Sequence, residues 1–474
     1  MMNKREYDET NPQSIEQYAQ KMVGKTFDEI CREDSKRNNG RLQEVNNYAV
    51  AHENKKRKGG LGELIEEKFF HYKCNNDARA DFPDAGVELK VTPYKQNKNG
   101  SLVAKERLIL TMIDYSTVVE EQFETSHFWE KSHLLLLVCY LYQKEITNRL
   151  QYKIGYARLF TPPEQDLRII KHDFETIVEK VKNGKAHELS ESDTLYLGAA
   201  PKAATSKNRR KQPFSNEPAK PRAFAFKNSY MTYVLNNYII PGKVTYEPIM
   251  KSTVDDFEGY VTSKILEYKG CSVEQLCNQF NIDTKKKPKN LEAILTYRIL
   301  GIKGNHAEEF EKANIVVKAI RIGKNDRIKE SMSFPTFKFK ELIEEEWETS
   351  TFGTYLSETR FLFVVYKADD NNVLRLKGCQ FWNIPYRDLN EEVRKVWEKA
   401  RRVIFEGIKV ERVNGKNRNN LPSASENPVC HVRPHGRNAE DTYELPDGRQ
   451  FTKQCFWLNN SYILSQINEE LRKD

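Results

Sequence analysis

The sequence predicts an α/β protein made of two tandem copies of one mixed-sheet fold, and three observations predict it. The chain has 474 residues, more than one hydrophobic core usually holds, so two domains of roughly 200 residues each are expected. Helical periodicity alternates with short apolar strands, the pattern of a sheet flanked by helices. Six landmarks of the first half also return in the same order in the second. Gly86-Val-Glu-Leu-Lys-Val-Thr is followed by Lys105-Glu-Arg, Phe123-Glu-Thr-Ser, Leu134-Leu-Leu-Leu-Val, Ala200-Pro-Lys and Phe226-Lys-Asn-Ser-Tyr. The later series is Asn314-Ile-Val-Val-Lys-Ala-Ile, Lys329-Glu-Ser, Trp347-Glu-Thr-Ser, Phe361-Leu-Phe-Val-Val, Arg433-Pro-His and Leu458-Asn-Asn-Ser-Tyr. The intervals agree within about ten residues.

Residues 1–58 are polar and lysine-rich, with helical patterning in Ser14–Val23 and Phe27–Arg32, and end in Lys55-Lys56-Arg57-Lys58. They read as a helical arm outside the core. The first domain, 59–240, opens with a helix over Gly62–Phe70 and continues with strands at Gly86–Thr92, Arg107–Ile113 and Leu134–Tyr142. Its aromatic run Phe69-Phe70-His71-Tyr72 is core packing. Residues 200–222 hold Lys202, Lys207, Arg209 and Arg210 among Pro and Ser with few large apolar residues, so an exposed basic loop is expected. A linker over 241–258 leads to the second domain, 259–474.

Composition narrows the function classes. Hydrophobic residues at 38% and charged residues at 30% describe a globular chain rather than a disordered one. The formal charge of +8 favours a polyanion partner if the basic residues cluster. The eight cysteines show no CxxC pair and no Cys/His cluster at zinc spacing, so they are expected reduced and mostly buried. The N-terminus lacks an apolar signal region and the longest apolar run, Leu134–Leu141, is too short to span a bilayer; a cytoplasmic protein is expected. Gly59-Gly60-Leu61-Gly62 lacks the Gly-Lys-Ser/Thr ending of a phosphate-binding loop, and no GxSxG or Cys–His pattern points to covalent catalysis. His127 and His133 lack a carboxylate or Cys partner at ligand spacing and are read as surface or DNA-facing side chains.

One constellation carries chemistry. In Asp81-Phe-Pro-Asp-Ala-Gly-Val-Glu-Leu-Lys-Val-Thr, strand alternation puts Val87, Leu89 and Val91 on one face and Glu88 and Lys90 on the other. Asp81 precedes the Pro83–Gly86 turn and can fold back beside Glu88. Phosphodiester cleavage needs a divalent metal on hard carboxylate oxygens, an activated water and a cation near the phosphate. Asp81 and Glu88 supply the oxygens and Lys90 the cation, with Glu66 on the preceding helix reaching the metal through water. Aligned on the strand, Lys318 matches Lys90, but Val316 replaces Glu88 and Glu309 replaces Asp81. The second copy should therefore bind without cutting.

These residues resemble the MutH-like endonucleases, which comprise the mismatch-repair nicking enzyme and the larger Sau-type restriction endonucleases that cut at GATC. The match lies at Lys58-Gly-Gly-Leu-Gly with Glu66, at Asp81 through Lys90, at Glu124-Thr-Ser-His127, at Pro201-Lys-Ala-Ala and at Lys227-Asn, covering about residues 55–240. The doubled layout is similar to the Sau-type enzymes and extends the resemblance over nearly the whole chain. The resemblance implies two tandem PD-(D/E)xK domains and a catalytic set of Asp81, Glu88 and Lys90 with Glu66 and Lys131. It implies Mg2+ held by Asp81, Glu88 and Glu66, and DNA contacts from Lys58, His127, Lys202 and Lys227. The basic loop adds Lys207, Arg209 and Arg210, and the second copy Arg433 and His435. Ala200 stands where the family has Arg, and Ala225 where the repair enzyme has a methylation-sensing tyrosine; cutting regardless of adenine methylation is the expected consequence.

The sequence thus reads as a type II restriction endonuclease cutting both strands at GATC. Its C-terminal copy would be an allosteric DNA-binding domain, so two sites would be bridged by looping, and a monomer in solution would dimerise on DNA. A mismatch-repair nickase and a non-catalytic GATC-binding regulator are the rival readings.

Overall fold

The computed structural model describes residues 6–37, 60–72, 79–202, 205, 207–242, 246–251, 254, 256–283, 288–413 and 416–473. They divide into two compact units. The first holds the chain up to His187, Thr194–Tyr246 and Glu311–Ala313; the second holds Glu188–Asp193, Glu247–Phe310 and Asn314–Asp474.

The first unit has strands β1 (Glu88–Gln96), β2 (Leu102–Ala104), β3 (Leu108–Met112), β4 (Leu135–Leu141), β5 (Lys153–Phe160), β6 (Leu197–Pro201), β7 (Arg210–Gln212), β8 (Ser215–Ala219) and β9 (Arg222–Phe226). One sheet runs β2-β1-β4-β5, a second β3-β9-β6, and β7-β8 forms a hairpin. Strands β1 and β4 are parallel, with Glu88 opposite Leu135 and Lys90 opposite Leu137. Leu135, Leu136, Leu137 and Val138 are all buried. A parallel strand covered on both faces needs such an unbroken apolar run, which is why this strand was legible without alternation.

The N-terminal helices belong to the core, which corrects the reading of residues 1–58 as an arm outside it. Helix Pro12–Ala19 starts at Asn11, whose side chain accepts the Ser14 N–H, and has proline in its first turn, where a missing N–H costs nothing. Its buried residues Ile15, Tyr18 and Ala19, with Met22 beyond, follow the spacing of one helical face. Together with Phe27 and Ile30 of the helix Phe27–Arg37 they pack in one cluster with Leu64, Phe70, Val87, Leu89, Leu136 and Val138. The Tyr7 and Tyr18 hydroxyls donate to the Phe70 and Phe69 carbonyls. The aromatic run is core at Phe69 and Phe70, whereas His71 is exposed.

Residues 200–222, expected as a loop, contain strand on either side of non-strand residues such as Lys202 and 207–209. The end of β6, the β7–β8 hairpin and the start of β9 supply the strand. Gln212 anchors the hairpin: its side-chain oxygen accepts the Ala186 N–H and its amide donates to the Glu217 carbonyl. That buried amide is the nonlocal contact the composition could not announce.

The second unit has β10 (Ile315–Ile322), β11 (Met332–Phe337), β12 (Arg360–Ala368), β13 (Leu374–Trp382), β14 (Val410–Val413), β15 (Lys416–Asn419), β16 (Cys430–Pro434), β17 (Thr442–Glu444), β18 (Gln450–Thr452) and β19 (Gln454–Leu458). Its sheets run β10-β12-β13 and β11-β19-β16, with hairpins β14-β15 and β17-β18. Strands β10 and β12 are parallel, and β12–β13, β11–β19 and β16–β19 antiparallel. The β1–β4, β4–β5, β3–β9 and β6–β9 pairs of the first unit have the same senses. The presumed linker is structured in part: Ile249 is buried, and the Glu247 carboxylate accepts the Lys303 and Gly304 N–H groups.

Of the described cysteines all are free; Cys271 is half-buried and Cys31, Cys139, Cys277, Cys379, Cys430 and Cys455 are buried. Among the described residues no helix is long and apolar enough to cross a membrane. The core role of the N-terminal helices has a measurable consequence. Ile15→Ala should cost about 2–4 kcal/mol in urea unfolding followed by circular dichroism; a surface arm would give a change within about 0.5 kcal/mol.

Candidate active site

The Pro83–Gly86 turn brings Asp81 back to the start of β1. Phe82 and Val87 pair across the turn, the Ala85 and Gly86 N–H groups donate to the Phe82 and Pro83 carbonyls, and Gly86 has φ +65°. A β-carbon at Gly86 would also lie 3.0 Å from His133 Nε2. Asp81 Oδ2 accepts the Leu89 N–H at 2.9 Å, so the two acids are tied to consecutive positions of one strand.

Glu88 is only 4% exposed. Lys90 Nζ lies 2.7 Å from its Oε1 and Lys131 Nζ 3.6 Å from its Oε2. Lys131 is delivered by the short helix His127–Ser132, whose N-cap Ser126 accepts the Trp129 N–H and donates to the Phe123 carbonyl. Four expected residues, Asp81, Glu88, Lys90 and Lys131, thus meet. Glu66 lies half-buried in the helical segment Ile65–Phe69, near enough for its charge to act on Asp81.

The electrostatics are those of an incomplete charge set. Burial, then the Glu88 charge, raise the Asp81 carboxyl to about 7; the Leu89 N–H opposes this, Glu66 adds to it and Lys90 opposes it. Glu88 Oε2 is buried and accepts no hydrogen bond. A carboxyl whose ionised form is disfavoured by burial and like charge, beside an acceptor oxygen with no donor, is the environment a divalent cation satisfies, so the residues fit a metal. Among the described residues no group of three His, Cys, Asp or Glu side chains is gathered to hold one. Water or phosphate oxygens would complete the shell of a divalent ion there.

Sequence reasoning missed Tyr72. Its buried hydroxyl has no hydrogen-bond partner and burial, then Asp81 and Glu66, hold it protonated far above its ordinary range. Only its place in an aromatic run was visible, and that signals core.

The expected DNA contacts separate. Lys58 lies outside the described residues. His127 is half-buried in the first turn of its helix, while Lys202, Lys207, Arg209 and Arg210 are exposed at the end of β6 and on the approach to the hairpin. Lys227 is 3% exposed and donates to the Thr194 carbonyl; burial raises the nearby Asp173 carboxyl, and the Leu195 and Leu197 N–H groups and the Lys227 charge oppose that rise. The lysine is structural, which corrects its assignment to DNA. The second unit does the same job without charge: Asn459 precedes the corresponding helix and donates to the Asn427 carbonyl. Arg433 and His435 are exposed at the end of β16, with the Arg433 guanidinium 4.6 Å from the Trp457 ring centre and the His435 ring edge-on to it at 5.2 Å.

In the second unit Val316 faces Phe361 and Lys318 faces Phe363, the ladder positions that Glu88 and Lys90 hold against Leu135 and Leu137. The carboxylate of Glu309 is buried and accepts the Ile249 and Met250 N–H groups.

A strand bearing Glu-x-Lys has an aspartate folded back beside it and a parallel neighbour, and the family described as DNA mismatch repair enzyme MutH matches residues 70–173. The type II restriction enzyme Sau3AI of Staphylococcus aureus is 37% identical over 463 residues, covering 88% of this chain and 94% of that enzyme. The chain belongs to the family of that restriction enzyme. The DNA mismatch repair protein MutH of Shewanella woodyi is 27% identical, over 36% of this chain and 71% of its own length. That of Shewanella sp. strain W3-18-1 is 29% identical, over 38% and 80%.

The Asp81 carboxyl makes stability depend on pH. Its folded value of about 7 exceeds an unfolded value of about 3.9, so its contribution is full below the unfolded value and is lost as pH rises through that window. The metal-free protein should lose more thermal stability between about pH 5 and about pH 8 than Asp81→Asn does, and a divalent cation should restore more at the higher pH. Parallel melting curves for the two proteins would refute the assignment.

Proposed function

We propose that the protein is a type II restriction endonuclease that hydrolyses both strands of double-stranded DNA at GATC with Mg2+. The observation that carries it is the Glu88 carboxylate, buried between two lysines with one oxygen lacking a donor, beside an Asp81 whose carboxyl burial and the Glu88 charge push up. The resemblance to Sau3AI over 88% of the chain supports the same reading.

Asp81 and Glu88 would hold the metal ion, with Glu66 in support through water. When bound, the ion lowers the pKa of a water and offsets phosphate charge. Lys90, on the Glu88 face of β1, orients the attacking water and the scissile phosphate. Lys131 adds positive charge from the opposite side of Glu88, where the pentavalent phosphorus gains negative charge. The water oxygen bonds to phosphorus as the bond to the 3′ oxygen breaks, and that oxygen takes up a proton, leaving 5′-phosphate and 3′-hydroxyl ends. His127, Lys202, Lys207, Arg209 and Arg210 would contact DNA.

Residues 59–240 would be the catalytic MutH-like domain, and 259–474 a second PD-(D/E)xK domain that binds DNA without cutting. The repeated strand pairings and the replacement of Glu88 by Val316 support this. The second domain would act as an effector at another GATC site, with Arg433 and His435 on its surface, looping the DNA and joining two monomers for double-strand cleavage. A mismatch-repair nickase is less well supported, because the MutH proteins match less than half of the chain.

On a plasmid with several GATC sites, the intact chain with Mg2+ should give linear products with ends at GATC. Glu88→Ala should cut slower by roughly 10²–10³-fold or more, and a one-site plasmid should be cut more slowly than a many-site one. Binding to GATC with no cleavage in Mg2+ would instead establish the regulator reading, and persistent nicking of one strand the repair reading.

A further inference from the structure

Phe214 is the most exposed large apolar side chain among the described residues of the first unit, 72% open to water. It sits at the tip of the β7–β8 hairpin, where Gln212 pairs with Ser215 and only Pro213 and Phe214 make the turn. Proline suits the first position of such a turn, and the second, with φ +61° at Phe214, is one that glycine or asparagine normally fills. A phenylalanine there goes against the local backbone preference and buries little of its own ring. Neither the turn nor the core accounts for it, and a residue that breaks a local rule without a gain to folding points to function.

The tip is held still. Gln212 binds the Ala186 N–H and the Glu217 carbonyl, and its amide nitrogen lies 3.0 Å from His187 Nδ1. Gly184, at φ +68°, packs so closely on the tip that a β-carbon there would come within 2.5 Å of the Phe214 carbonyl oxygen. The ring is therefore presented from a fixed backbone, and setting it against a partner costs little conformational freedom. The surrounding charge says what that partner is. Arg209, Arg210 and Lys211 are exposed beside the tip, and the only acid between residues 200 and 222, Glu217, lies 3.5 Å from His187. The hairpin also springs from the end of the β6–β9 pair, where the Lys202 N–H donates to the Pro221 carbonyl. Cations for phosphates around one projecting ring are what a side chain needs to enter the base stack of a duplex.

We propose that Phe214 is a wedge that inserts between neighbouring base pairs of the bound duplex, next to the phosphates met by Arg209, Arg210 and Lys211. This rests on the reading of the chain as an enzyme that cuts double-stranded DNA. The inserted ring bends the duplex and fixes where along it the first unit comes to rest. Its selectivity follows how easily a base step opens rather than any hydrogen bond to a base edge.

The test uses the full chain with Ca2+ in place of Mg2+ and duplexes carrying one GATC, in which a fluorescent adenine analogue quenched by stacking occupies each position in and beside the site in turn. The analogue should brighten at one step when the parent chain binds and stay dark with Phe214→Asn. By anisotropy, Phe214→Asn should weaken binding about tenfold, the loss of one contact between an aromatic ring and a base. The slope of log K against log salt should not change, because no charge is removed. Phe214→Trp should restore both affinity and brightening. Free Phe214→Asn should melt no lower than the parent, since asparagine takes positive φ more readily; a lower melting temperature would mark the ring as structural and overturn the inference. Unchanged affinity in Phe214→Asn, or a parent that brightens no step, overturns it while DNA binding stands. A parent chain that binds no duplex overturns it together with the nuclease reading.

Discussion

Two carboxylates held together in a poorly hydrated place are the constraint around which the first unit is organised. Neither Asp81 nor Glu88 has freedom to move apart: one is fixed by the Pro83–Gly86 turn and the Leu89 N–H, the other by its place on β1. Like charges so placed cannot both remain ionised unless cations surround them. Lys90 and Lys131 offset part of that charge from Glu88's two sides, and the acceptor oxygen left over invites a divalent ion. The buried β4 strand and the Ser126-capped helix then acquire a purpose beyond packing. They hold β1 and Lys131 rigidly enough that the charges face one another before any ligand arrives, and preorganised charge is what stabilises a phosphoryl transition state.

The second unit shows the same strand pairings with that constraint released. Valine at the Glu88 position removes the repulsion, and Glu309 is satisfied by backbone N–H groups instead of facing a strand-borne acid. The exchange is not confined to the site. Lys227 caps a carbonyl in the first unit where Asn459 does so in the second, so an interior polar contact survives while its charge does not. Lysine there is tolerable because Asp173 lies near, itself bound by the N–H groups of Leu195, Tyr196 and Leu197. What persists between the units is hydrogen-bond geometry; what varies is charge.

Local chemistry was legible in the sequence and nonlocal compensation was not. Alternation along Val87–Val91 placed Glu88 and Lys90 on one face, and Pro83 with Gly86 implied the turn that returns Asp81; both are properties of a dozen contiguous residues. The apolar run of β4 announced a strand buried on both sides. The N-terminal helices were misjudged because their polar majority hides one narrow face, Ile15, Tyr18, Ala19 and Met22, whose partners Phe70 and Leu136 lie far along the chain. Lys227 misled for a related reason. The family resemblance put it at the DNA, and only the carbonyl of Thr194, 33 residues upstream, explains its burial. Tyr72 was invisible because an aromatic run looks the same whether or not one hydroxyl faces carboxylates.

The two units also indicate why losing such a site is easier than regaining it. Removing one acid relieves repulsion and leaves the strand intact, since valine suits a half-buried ladder position as well as glutamate did. Returning glutamate at Val316 would restore neither partner. Glu309 would have to leave two backbone N–H groups unsatisfied in the interior, at about 1–3 kcal/mol for each. The helix Thr351–Glu358 carries Tyr355 where spacing from the shared Glu-Thr-Ser segment puts Lys131 in the first unit, so the second cation is absent as well. A carboxylate at Val316 would have neither a second free acid nor a second lysine beside it. The arrangement of Val316, Lys318 and Glu309 therefore lacks the paired carboxylates and paired lysines that the first unit brings together.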